Sequence, residues 1–156
     1  MIEAFELAKK ELKRADHLIF VSLKYTRTVD VIKNIVLRLI SAFDYGFEAL
    51  LEKVKEDGKI TEVPKLSRLR IDGIKKYYGD DKLVQYFIEF YRLMKKIDKA
   101  TFDRTLEYRR HVTMTAHLNG DKIEITIDII SDYFERANEF LNHVKTLIGE
   151  DEEEAE

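Results

Sequence analysis

The chain of 156 residues contains no cysteine, which excludes disulfides, thiolate nucleophiles and cysteine-based zinc sites. It has no tryptophan, one proline (Pro64) and six glycines, so few positions can interrupt regular structure. Only Asn34, Asn119, Asn138, Asn142 and Gln85 carry a side-chain amide. With Lys and Glu abundant, that scarcity resembles the composition of heat-adapted proteins. No apolar run approaches the ~18 residues of a membrane span, and the opening MIEAFELAKKELKR lacks the apolar core of a signal peptide. The expectation is a cytoplasmic protein with no membrane partner. No Gly-x-Gly-x-x-Gly, Walker-type loop or Gly-x-Ser-x-Gly is present, so dinucleotide binding, ordinary nucleotide hydrolysis and serine hydrolase chemistry have no support.

What is present is a charged but globular composition, 45% apolar and 37% charged. That length buries roughly 70% of the unfolded surface in one domain, taken here as residues 1–149. Residues 150–156 hold six acids, and such a block at a terminus reads as a disordered, solvated tail. The net charge of −3 therefore conceals 27 basic against 24 acidic groups in the preceding 149 residues.

Helical periodicity dominates the first half. Phe5, Ala8, Leu12, Ala15, Ile19 and Ser22 step by three and four, as do Val29, Ile32, Val36, Leu39, Phe43, Phe47, Leu50 and Val54. Tyr25 to Thr28 is the break between these stripes, with Thr28 suited to cap the second helix. Asp57-Gly58 ends it, and a loop with Pro64 follows over 57–66. Further helices are expected over 67–78, between Ser67 and Gly79, and from Asp80-Asp81 through Ile97, with another stretch over 99–110.

Two readings compete over 111–130. HVTMTAHL and IEITIDI alternate apolar and polar residues around Asn119-Gly120, which is a hairpin signal. Against this, Asp121 and Glu124 have capping-box spacing. In addition, Ile123, Ile127, Ile130, Phe134, Ala137, Leu141, Val144 and Ile148 step by fours and threes without a fault. One helix over 122–148 explains the whole register and is the favoured expectation. The fold class that follows is all-α, an up-and-down bundle of four to five helices.

Metal chemistry finds no ligand pattern. The residues three before the four histidines are Arg14, Tyr108, Met114 and Phe140, so the Glu-x-x-His pairs of di-iron bundles are missing. No metal and no cofactor is expected. His17 and His143 read as structural.

The remaining constellation runs from Arg104 to His117 and holds Arg104, Arg109, Arg110, His111 and His117. Arg110 and His117 are seven apart, so they share a face on a helix but oppose each other on a strand. Arg104 and His111 repeat that spacing in another phase. Guanidinium holds phosphate by paired charge-assisted hydrogen bonds, and imidazole takes and gives protons near neutrality. RNA supplies its own 2′-hydroxyl nucleophile, so such a pair needs no metal. The plainer alternative is a surface ion pair at Arg110 and a boundary histidine at 117.

Arg110-His111-(five residues)-His117 before a final amphipathic helix resembles the HEPN family, whose signature is Arg, four to six residues, then His. The resemblance implies a HEPN-like helical bundle over nearly the whole chain. Arg110 and His117 then match the catalytic positions, and His111 the polar position after the Arg. It also implies a homodimer with both motifs in one cleft. The function implied is a metal-independent endoribonuclease of toxin–antitoxin or defence type, often paired with a small nucleotidyltransferase antitoxin. Inactive members act as binding modules for RNA, a nucleotide or a protein. On this reading RNA and not DNA is the substrate, and Arg104, Arg109, Lys24, Tyr25 and Arg27 are candidate RNA contacts. Lys65, Arg68, Arg70, Lys75 and Lys76 around Tyr77 and Tyr78, and Arg92, Lys95, Lys96 and Lys99 after Tyr91, fit an RNA partner too, although solvated helix faces explain them as simply.

Overall fold

The computed structural model describes residues 2–149; the acidic stretch 150–156, expected as a disordered tail, lies outside the described residues. The first helical stripe forms α1 (Ile2–His17), continues through a π-helical turn, Leu18–Ser22, and ends in the short α2 (Leu23–Tyr25). The long α3 (Val29–Glu56) follows, and Thr28 caps it by accepting from the Val31 N–H at 3.4 Å. Its end comes at Asp57, with Gly58 at φ 81°, the left-handed geometry that glycine adopts without a Cβ clash. α4 (Ser67–Tyr78) and α5 (Lys82–Lys99) occupy the expected places. Asp81 caps α5 by accepting from Leu83 and Val84 at 2.9 and 3.1 Å.

The second half corrects the favoured expectation. The helical stretch expected over 99–110 is instead strand and loop, and residues after Lys99 form an antiparallel sheet, β1 (Thr101–Thr105), β2 (Thr113–Leu118) and β3 (Asp121–Ile125), in the order β1-β2-β3. The final helix, α6 (Ile127–Ile148), begins five residues later than the apolar stripe suggested. The hairpin reading is the right one for this segment, because Asn119 and Gly120 both take positive φ (40° and 89°), as a tight two-residue turn requires. Thr126, not Asp121, caps α6, accepting from Ile129 N at 3.2 Å. The protein is mostly helical, consistent in outline with the all-α expectation, and adds a small three-stranded sheet.

α3 is the axis of the bundle. It buries a broad face from Val29 to Val54, while Asp30, Asn34 and Leu37 on the opposite side stay exposed, because α1, α4, α5, α6 and β2 all pack on it. At its midpoint Phe43 stacks on Phe140 of α6, with centroids 4.1 Å apart and planes 4° from parallel. Phe47 and Phe87 meet the Phe140 ring edge-on at 5.1 and 5.3 Å. The sheet closes one side of the core through Met114, Ala116 and Ile125. By strand alternation its other face carries Asp103, Thr115, His117, Lys122 and Glu124. Among the described residues no helix is long and apolar enough to cross a membrane.

Candidate nucleic-acid interface

The loop between β1 and β2 is pinned to the break between α2 and α3. The Tyr108 N–H donates to Arg27 O at 2.6 Å, and the Glu107 carboxylate accepts from the Val29 N–H at 3.1 Å, at the start of α3. Arg104 bridges the same junction, 2.9 Å from Asp30 and 3.8 Å from Glu107, with its guanidinium over the Phe102 ring. The hydrogen bond to Asp30, opposed by slight desolvation, raises the pKa of Arg104 above its already high value, so it is permanently charged. Leu106 and Tyr108 take left-handed φ of 54° and 66°. Non-glycine residues there cost about 1–3 kcal/mol each and persist only where their surroundings impose them. The loop is thus held in one presentation by three anchors.

That presentation gathers most of the residues singled out in the sequence. Arg109, Arg110 and His111 are exposed and make no ion pair or side-chain hydrogen bond among the described residues, since Arg104 engages both Asp30 and Glu107. Across the junction stand Lys24 and Tyr25, with Arg27 beside the pinned backbone. Tyr25 is 82% exposed and Tyr108 78%. On the helix side of the junction Arg27 also borders a pocket of about 250 Å³, walled by Ile19, Phe20, Leu23 and Ile127, with Lys24 as its second cation. Arg27 Nε is buried without a hydrogen-bond partner.

His117 does not join this group. The sequence led us to expect Arg110 and His117 on one helix face, but they do not share one, because Arg110 lies in a loop and His117 on a strand. β2 pairs Thr113 with Thr105 at the loop end and His117 with Thr101 at the other. At ~3.3 Å per residue, about 13 Å of strand separates Thr113 from His117, and Arg110 belongs to the loop before Thr113. The strand register therefore does not place the pair on one face. The alternative pair, Arg104 and His111, lies at the loop end of the hairpin, but Arg104 is committed to carboxylates. His117 Nε2 instead donates to Asp103 Oδ2 at 2.7 Å on the outer sheet face, with Lys122 directly opposite it on β3. His143 is structural, as expected: its Nε2 donates to Asp81 Oδ2 at 2.7 Å and ties α6 to the cap of α5.

Three contributors escaped the sequence reading. Tyr108 lies inside the basic run, where its residue type alone does not mark it as a contact. Glu107 and Asp103 act across 78 and 14 positions, and only the strand register brings Asp103 to His117. No metal-holding group of three His, Asp or Glu occurs among the described residues. Compared with known protein families, curated proteins and solved structures, the chain matches none.

Proposed function

We propose that the chain is a helical RNA-binding domain that takes single-stranded RNA where the 106–111 loop meets the helix break. One observation carries this reading: Arg109, Arg110 and His111 are exposed without acidic partners beside two exposed tyrosines. Unpaired cations neutralise backbone phosphates and release counterions. Tyrosine faces stack unpaired bases for about 1–3 kcal/mol each. The neighbouring apolar pocket, with Lys24 and Arg27 as its cations, suits a splayed base with its phosphate outside.

Fluorescence anisotropy with labelled oligouridylate tests it. Binding should saturate and weaken with salt, with a log–log slope of about −0.7 per phosphate contacted. Arg109→Ala with Arg110→Ala should flatten that slope by about 1.4, and Tyr108→Ala should weaken affinity about 5- to 150-fold. Wild-type affinity in both variants would remove this surface from the reading.

A catalytic reading draws on a separate observation, the Asp103–His117 hydrogen bond. A carboxylate that fixes an imidazole tautomer equips it as a general base. In this HEPN-type endoribonuclease a homodimer would carry the loop of one protomer to the sheet of the other, and a nucleotidyltransferase antitoxin would be a natural partner. Cleavage with EDTA present, 2′,3′-cyclic phosphate ends and a loss of about 10² to 10⁴-fold in His117→Ala are its signature. RNA that is bound but stays intact rejects it.

A further inference from the structure

The strongest unassigned feature lies away from the loop, between α4 and α5. Arg68 of α4 and Arg92, Lys95, Lys96 and Lys99 of α5 line one groove of about 400 Å³, in which Asp72 is the single acid. Arg92 pairs with Glu89 at 3.1 Å. The other four cations make no ion pair among the described residues. A concave surface lined by one sign of charge focuses its field and concentrates counter-ions of the other.

The floor of the groove says which part of a polyanion it takes. Tyr91 forms that floor, and its hydroxyl is engaged beneath it, 2.6 Å from Asp44 Oδ1 and 2.7 Å from Ser67 Oγ. Only 3% of this residue is exposed, so its ring cannot stack a base. Desolvation, and then the hydrogen bond to Asp44, push the hydroxyl pKa well above the usual tyrosine range, so it adds no negative charge. The groove therefore offers cations without a base platform, whereas the loop end offers both.

We infer that the α4–α5 groove is a phosphodiester-backbone site and takes a second stretch of the RNA bound at the loop end. This rests on the RNA-binding reading above. The chain path supports continuity. Lys99 ends α5 two residues before β1, and β1 runs about 13 Å, at ~3.3 Å per residue, to the loop that carries Arg109 and Arg110. Single-stranded sites of about 4–16 nucleotides are ordinary for such surfaces.

The test measures anisotropy of a labelled 18-mer oligouridylate across a salt series, with wild type, an Arg68→Ala/Lys96→Ala/Lys99→Ala variant and the Arg109→Ala/Arg110→Ala variant. All five side chains are exposed, and unchanged thermal unfolding verifies the folds. The groove variant should flatten the salt slope by about 2, three phosphate contacts at ~0.7 each, and weaken binding for every base sequence alike. An unchanged slope in the groove variant, with binding weakened by the loop variant, overturns the groove and leaves the loop reading standing. The reverse pattern removes the loop from the reading and keeps the groove. No saturable binding by wild type sinks both, and equal displacement by a polyglutamate peptide overturns a phosphodiester site.

Discussion

Replacing Gly46 by alanine sets two effects against each other. In a helix interior Ala is favoured over Gly by about 1 kcal/mol, so a buried mid-helix glycine invites the change. A Cβ at this position, however, would overlap Phe140 Cε2 and lie 2.9 Å from its Cζ and 3.3 Å from Leu141 Cδ2. The Phe140 ring has no room to yield, since Phe43 stacks on its face and Phe47 and Phe87 press on it at 5.1 and 5.3 Å. Overpacking a filled core costs about 1–3 kcal/mol, and the clamped ring places this site in the upper part of that range. A net loss of about 1–2 kcal/mol follows once the propensity gain is subtracted. Urea unfolding should show a lower midpoint at unchanged slope, and the thermal midpoint should fall by about 3–6 °C. In a Phe140→Leu background the same change should become neutral or stabilising, because the ring that meets the new methyl is gone. Gly46→Ala at or above wild-type stability, or an undiminished cost in the Leu background, would refute the clamp.

Two further outcomes follow from hydrogen bonds at helix ends. Burial, the largest influence on Asp81, opposes its charge, but the hydrogen bonds from His143, Val84 and Leu83 and the attraction of His143 together outweigh it and hold its pKa below the usual value. The stabilisation is therefore full above the unfolded-state value of about 3.9 and is lost as pH falls through the lower folded value. Asp81→Asn should be less stable than wild type at neutral pH, and the gap should narrow below about pH 4; a gap constant down to pH 2 contradicts the link. Glu107→Ala removes the acceptor for Val29 N–H and one partner of Arg104. It should cost about 0.5–1.5 kcal/mol and speed amide exchange at Val29 and Tyr108, and unchanged exchange at both would show that Glu107 does not pin the loop.

Several helix boundaries before residue 82 were legible because they are marked by chemistry local to the chain. Thr28 and Asp81 are caps that announce themselves by residue type, and Gly58 fits the left-handed exit of α3. The boundary at 126 was hidden by a coincidence of periods. Ile123 is half-buried on the inner face of β3, paired with Ala116, and it happens to fall four residues before the first stripe position of α6. The alternation of Lys122, Ile123, Glu124 and Ile125 carried the correct signal, and the Asn119-Gly120 turn agreed with it. The site shared that fate. Its cations were visible in the sequence, but pairing Arg110 with His117 depended on a 3.6-residue period that a strand does not have. In the sequence the α4–α5 groove is two separate basic runs, because nothing local joins Arg68 to residues 92–99.

The stack of Phe140 on Phe43 also sets an order on biosynthesis. α3, with Phe43 and Phe47, leaves the ribosome long before residue 140 is made, and Phe87 joins them still without a lid. Until α6 arrives, the growing chain carries an open aromatic furrow along α3, the kind of surface that chaperones hold and that associates between unfinished chains. α6 is therefore the element that covers this furrow, and a product truncated before residue 127 would leave translation with it open.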